Sequence, residues 1–323
     1  MSEPKTAVLH LNPSKNHEKI DGMEDNATID FGSYMDARRA LVDRALERYL
    51  PAEDTYPESL SRAMRYSVMS GGKRFRPILC IASFEACAGQ GDAALPIACA
   101  IELIHTYSLI HDDLPCMDDD DLRRGRPTSH KVFGEAVAVL AGDALLSFAV
   151  EIVVREGTRL VPSERIVRIV GDLLKAAGPE GMVAGQVVDM ASEGKPADAE
   201  TVKFIHRHKT GALISSSARC GAIAAGAIES VIDRVSSYGA RVGLAFQIVD
   251  DVLDAEGTFG NLKAASGLDE KKRKLTYPSV FGLEESKAVA ARLAREAKDA
   301  IAPLGHAGLP LQLLADLVVN RSS

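Results

Sequence analysis

From Tyr34 onward, apolar residues recur at helical spacing. Leu41, Ala45, Leu46 and Leu50 fall on one face of a helix that Pro51 ends. The same periodicity predicts helices over 96–111, 135–155, 164–177, 200–227 and 228–254, the last two separated by a turn near Glu229. Breaks fall where Gly, Pro and charged residues gather, at 192–198 and 303–310. No run of alternating β-branched residues bounded by turn residues occurs, so strands are not expected to matter. The fold class is all-α, with a polar tail over 1–30 and one domain over 31–323. The stretch 136–154 is apolar most of the way round and belongs in a multi-helix core or an oligomer interface.

Two of these helices carry carboxylates. The first ends in His111-Asp112-Asp113-Leu114-Pro115-Cys116-Met117-Asp118-Asp119-Asp120-Asp121, whose acids repel one another unless solvated, paired or bridged by cations. A plain acidic surface loop would carry such a run too, but Asp112 directly follows the apolar stretch Ile101 to Ile110. Pro115 disfavours helical geometry at Leu114. Asp112 and Asp118, six residues apart, would lie about 120° apart on an unbroken helix. A further ligand therefore comes from an irregular turn, and spacing does not choose between Asp118 and Asp119.

The second helix contains Gln247-Ile248-Val249-Asp250-Asp251-Val252-Leu253-Asp254, with Asp250 and Asp254 on one face. Among apolar neighbours these acids need a counter-ion. Oxygen donors without His or Cys suit Mg²⁺. Ile101, His105, Ser108 and Asp112 share their offsets with Gly243, Gln247, Asp250 and Asp254. Two stripes, each polar and ending in carboxylate, are expected to face each other across a cavity with metal at its mouth.

Cations answer the acids. Gly71-Gly72-Lys73-Arg74-Phe75-Arg76-Pro77 is a glycine turn followed by three basic residues, without the spacing of a P-loop. Arg123-Arg124 and Lys209-Thr210 extend the set. Basic and acidic clusters together suit a substrate with several phosphates.

Charge and composition narrow the classes. A net charge of −7 over 323 residues gives no basic excess for nucleic acid. Five cysteines without a CxxC pair read as reduced, buried thiols of a cytoplasmic protein. No signal-peptide core and no membrane span are expected.

Over Arg62 to Arg321 the text resembles the trans-prenyl diphosphate synthases, the farnesyl and geranylgeranyl diphosphate synthase group. The residues that carry the likeness are Gly71 to Pro77, DDxxxxD at Asp112, Asp113 and Asp118, and Arg123-Arg124-Gly125. Lys209-Thr210-Gly211, Phe246-Gln247 with DDxxD at Asp250, Asp251 and Asp254, and Lys274 before Thr276-Tyr277-Pro278 complete it.

The resemblance implies a helical bundle around a deep central cavity, usually a homodimer. It implies Mg²⁺-assisted condensation of isopentenyl diphosphate with an allylic diphosphate. Lys73, Arg76, His105 and Arg124 would hold the isopentenyl diphosphate; Arg123, Lys209 and Lys274 would contact the allylic one. Asp112 and Asp118 would bind two Mg²⁺ and Asp250 a third, with Asp113, Asp251 and Asp254 completing the metal motifs. Thr210 and Gln247 would line the place where the carbocation develops. Where the family commonly reads Leu-Gly-Lys, this chain has Asn261-Leu262-Lys263, so the turn that places Lys263 is altered; the polar stretch 256–274 is expected to form a lid.

Tyr107, five residues before Asp112, matches the aromatic that shortens the pocket in bacterial farnesyl synthases, whereas 130–135 and 140–143 read like geranylgeranyl synthases. Helical geometry puts Ser108 directly beneath Asp112. A fifteen-carbon product is favoured over twenty. A metal phosphohydrolase would need more His ligands than the second cluster offers. A non-catalytic partner subunit would be expected to have lost one of the aspartate motifs.

Overall fold

The structure, a computed structural model, describes residues 30–196, 198–260 and 275–321. Helix α1 (Phe31–Tyr49) starts where the Asp30 carboxylate accepts the Ser33 amide at 3.2 Å. It stops at Leu50-Pro51, as the spacing predicts. Helices α2 (Glu58–Val68) and α3 (Phe75–Ala86) precede α4 (Leu95–Asp112). Both α3 and α4 are apolar around nearly their whole circumference and form the centre of the molecule.

After α4 the acidic loop holds the only paired strands among the described residues, β1 (Leu122–Arg123) and β2 (Arg126–Pro127), two residues each. Then come α5 (Ser129–Phe133), α6 (Glu135–Ile152), a π-helical turn (Val153–Gly157), α7 (Ser163–Ala177) and α8 (Met182–Ser192). The helix expected over 200–227 is three pieces. They are α9 (Ala199–Ile205), a π-helical segment (His206–Gly211) and α10 (Ala212–Ala225). Helix α11 (Glu229–Gly260) is continuous, and α12 (Tyr277–Phe281), α13 (Leu283–Ile301) and α14 (Leu309–Asn320) close the chain.

Helix α10 crosses α3 at backbone contact, because a Cβ on Gly221 would overlap the Cys80 carbonyl and press on the Phe84 amide. Helix α11 packs between α10 and α13, and α6 packs on α4. Cys80, Cys99 and Cys220 are buried and Cys87 is half-buried, but Cys116 is exposed. The expectation of uniformly buried thiols fails there because Cys116 sits on the acidic loop rather than in a helix core.

Two stretches are long and apolar enough to span a membrane by length and composition, although neither contains 18 consecutive uncharged residues. One is α6 with its π turn, which packs on the bundle through Ala138, Ala141, Leu145, Ala149 and Ile152. The other joins α13 to α14 across Gly305, whose φ of 59° breaks the helix.

Tyr238 shows how α11 is tied to the C-terminus. It is fully buried, and its hydroxyl donates to the Leu311 carbonyl at 2.7 Å. Replacing it by Phe leaves that carbonyl short of a partner, which should cost about 1–2 kcal/mol. Equilibrium urea unfolding reads this as a lower midpoint at unchanged slope; an unchanged midpoint would show that the bond adds nothing.

Candidate active site

Two cavities open beside α4. One, of about 620 Å³, is lined by Lys73, Arg76, His105, Arg124, Phe246 and Arg321. The other, of about 410 Å³, has Asp112, Lys209 and Thr210 in its lining together with Tyr107, Ser108, Met117 and the α8 side chains Met182, Val183, Val187 and Met190. Arg76 and His105 line both, so the two spaces meet at that pair. Val187 is 61% exposed because it forms a wall of the second cavity. This explains an apolar side chain without a packing partner on α8.

The basic cavity is shaped by the glycine turn. Gly71 and Gly72 have φ of 86° and 138°, and Gly72 leaves room for the Arg124 guanidinium, which a Cβ would strike. Arg124 donates to the Gly71 carbonyl. Arg74, between the two cations that face the cavity, turns into the core instead. It donates to Glu102 at 2.7 Å, Asp43 at 2.8 Å and the Val68 carbonyl at 2.8 Å. Nε of Arg76 is buried without a protein partner. Burial, reinforced by the charges of Arg76 and Arg124, holds His105 well below the usual imidazole range, so it is neutral at pH 7.

At the mouth of the other cavity, α4 stops at Asp112 and the chain folds back. The Asp118 amide donates to the Asp112 carbonyl at 2.8 Å, which returns Asp118 to the helix end, while Asp119 takes a left-handed conformation. Asp113 points the other way. It is buried and accepts Nε of Arg123 at 2.6 Å. Burial raises its carboxyl above the usual range, against the pull of Arg123. Arg123 in turn holds Asp120 at 3.3 Å.

The second acidic motif divides in the same manner. Asp250 is half-buried and pairs with Arg321 at 2.7 Å. Burial pushes its carboxyl up to about 6; Arg321 opposes the rise and Asp254 and Asp251 add to it. Asp251 is buried and receives Gln247 Nε2 at 3.0 Å, the Tyr277 amide at 2.7 Å and His206 Nε2 at 3.0 Å. Gln247 Oε1 accepts the Thr210 hydroxyl at 2.6 Å. Lys209 donates to Asp189 at 2.6 Å. Lys209 and Thr210 lie on the π-helical segment, where the wider turn departs from the α-helical register and presents both side chains to the cavity. A Cβ on Gly185 would meet the Lys209 backbone, so α8 and this segment touch.

Residues 57–302 match the family model described as polyprenyl synthetase. The chain belongs to that family.

A curated relative from Fischerella ambigua, "Dimethylallyltranstransferase", is 48% identical over 92% of this chain and 85% of its own length. The "Heterodimeric geranylgeranyl pyrophosphate synthase large subunit 1, chloroplastic" of Arabidopsis thaliana is 48% identical over 92% and 81%. Among solved structures, an FPP/GFPP synthase from Zymomonas mobilis superposes with a TM-score of 0.80 at 36% identity, covering 90% of this chain and 99% of that one. The all-α fold is thus the isoprenoid synthase fold, and this polyprenyl synthetase is a prenyltransferase.

The structure brings Lys73, Arg76, His105 and Arg124 to one cavity and Tyr107, Ser108, Asp112, Lys209 and Thr210 to the other. Lys263, Lys274 and most of the expected lid lie outside the described residues, as do residues 1–29. Periodicity passed over Gln186, Asp189 and Arg321. The first two stand three apart on α8, one turn after the Gly181 start, and Gln186 Oε1 is buried beside the cavity without a protein partner. Arg321 gave no local signal. It reaches the site only because α14 returns to Phe246, whose ring its guanidinium covers at 3.9 Å.

The donor set fits Mg²⁺. The motif carboxylates offer oxygen only; Asp112 lines the second cavity, and Asp250, which pairs with Arg321, is destabilised by burial. Among the described residues no three His, Cys, Asp or Glu groups converge to hold an ion unaided. An ion there would complete its shell with water and phosphate oxygens.

Proposed function

We propose that this prenyl diphosphate synthase binds isopentenyl diphosphate in the basic cavity and an allylic diphosphate across the carboxylate mouth of the other. The supporting observation is the junction at Arg76 and His105, where a cavity lined by several cations meets one that carries Asp112 and an apolar wall. Lys73, Arg76 and Arg124 match one diphosphate without a metal, and His105 beside them adds a hydrogen-bond donor. Asp112, Asp118 and Asp250 would hold Mg²⁺, three ions in all, with Asp254 beside them. Mg²⁺ supplies Lewis acidity that neutralises the diphosphate leaving group.

Lys209, fixed by Asp189, is placed to follow the same charge as the allylic C–O bond breaks. Thr210 and Gln247 present oxygen to the carbon that becomes cationic. The apolar wall from Met117 and α8 takes the isoprenoid tail and excludes water from the cation. The double bond of isopentenyl diphosphate, held next door, attacks the cation, which makes the condensation effectively intramolecular.

The product proposed is farnesyl diphosphate, because the Tyr107 ring is buried in the tail wall, edge-on to His111 with centroids 5.8 Å apart. A twenty-carbon product is the second reading. It is favoured by relatives named geranylgeranyl diphosphate synthases, such as that of Cyanophora paradoxa, 45% identical. A homodimer is proposed through α5, α6 and the π turn that follows, where Val132, Val139, Leu140 and Val154 are each exposed.

Three tests follow from these assignments. Incubation with isopentenyl diphosphate, Mg²⁺ and each allylic starter, with product length read by mass, should give a C15 diphosphate, and Tyr107→Ala should lengthen it. A C20 product from the unaltered enzyme, or no change on substitution, removes Tyr107 as the floor. Asp112→Ala should lower turnover by roughly a thousandfold, on the scale of losing a group that stabilises transition-state charge. Its circular dichroism should be unchanged; turnover near that of the unaltered enzyme would refute the metal site. Leu140→Asp should halve the mass seen by light scattering, and an unchanged mass would place any interface elsewhere.

A further inference from the structure

Asp251 sits in a motif whose spacing marks it as a metal ligand, yet both of its oxygens already accept hydrogen bonds from protein, three in all. Oδ1 is taken by Gln247 Nε2, and Oδ2 by both the Tyr277 amide and His206 Nε2. The side chain is 8% exposed. The three donors come from three elements: α11 itself, the π-helical segment that bears Lys209 and Thr210, and the first residue of α12. His206 is 2% exposed and stacks on Tyr277 at 5.8 Å, and its Nδ1 has no protein partner. The proton must therefore be on Nε2 for the imidazole to bond the carboxylate.

The consequence for the site lies in the Gln247 amide. A carboxylate only accepts hydrogen bonds, so Asp251 can take only the NH₂ end of Gln247. That leaves Oε1 toward Thr210, whose hydroxyl proton is donated to it at 2.6 Å. With that proton directed away, the Thr210 oxygen presents lone pairs to the tail cavity that it lines. Without Asp251 the amide can turn over, offer NH₂ to Thr210 and bring a positive dipole end toward the reacting carbon.

Resting on the carbocation chemistry proposed above, we infer that Asp251 is a positioning residue rather than a metal ligand. It fixes the Gln247 amide so that oxygen lone pairs face the developing cation, and its bond from His206 holds the Lys209–Thr210 segment in register. Its action on the reaction passes through Gln247 and Thr210, and no contact with substrate or metal is needed.

A double-mutant cycle with a metal-free readout tests this. Asp251→Asn keeps an oxygen for Tyr277 and His206 but meets Gln247 with an NH₂. Turnover should fall roughly tenfold or more, with KM for both substrates and the half-saturating Mg²⁺ concentration within about twofold of the unaltered enzyme. In a Gln247→Leu background, Asp251→Asn should cost little more than Gln247→Leu alone, because the group it orients is gone. Without metal, Asp251→Ala should speed hydrogen exchange at the Tyr277 amide, whereas removing a mere metal ligand would leave that amide protected.

Three results would overturn the inference. They are a tenfold higher Mg²⁺ requirement with turnover restored at saturation, losses that multiply in the double variant, or a Tyr277 amide that stays protected. If the unaltered enzyme makes no prenyl diphosphate at all, the proposed function fails instead, and Tyr277 exchange still decides whether Asp251 is the anchor.

Discussion

Asp112–Asp113 and Asp250–Asp251 are carried by helices whose other residues are largely apolar, and a carboxylate in such a place costs several kcal/mol unless something answers its charge. Each pair solves the problem twice. The second member is turned into protein: Asp113 onto Arg123, Asp251 onto Gln247, His206 and the Tyr277 amide. The first member is left more open: Asp112 lines the tail cavity, and Asp250 pairs with Arg321 while burial pushes its carboxyl up to about 6. The arrangement is a rigid anchor beside a site that gains from cations.

That division orders the surrounding chain. The Arg123 anchor folds the loop after α4 back so that Asp118 returns to Asp112, with Thr128 closing it on the Asp120 carbonyl at 2.8 Å. The Asp251 anchor joins α11, the π-helical segment and α12. Between them lie the basic turn at Gly71–Arg76 and the apolar wall of α8. The enzyme therefore separates charge from hydrocarbon: cations and carboxylates at the junction, Met and Val along the tail. An isoprenoid diphosphate has the same division.

Much of this was legible in the chain. Periodicity located α1, α4, α6, α7 and α11 because each has apolar residues at 3.6 spacing and a Pro, Gly or polar break beside it. Both aspartate motifs and the cation turn stood out because like charges rarely crowd next to apolar helices. Periodicity did not show the π-helical segment at His206–Gly211, since one wider turn leaves the apolar pattern almost intact. Nor could spacing tell Lys73 and Arg76 from Arg74. Only the φ of 49° at Arg74 and the buried Glu102 opposite reveal that it belongs to the core. Arg321 was hidden for a simpler reason, since its place depends on how α14 returns across the bundle.

The central claim is that one diphosphate is held by cations alone and the other through metal-bridged carboxylates. Titration calorimetry on the unaltered enzyme, with and without Mg²⁺, tests it directly. Isopentenyl diphosphate should bind in EDTA with an affinity within a few fold of that in Mg²⁺, whereas an allylic diphosphate should bind only when Mg²⁺ is present. Loss of isopentenyl diphosphate binding in EDTA, or allylic binding indifferent to the metal, would contradict the account.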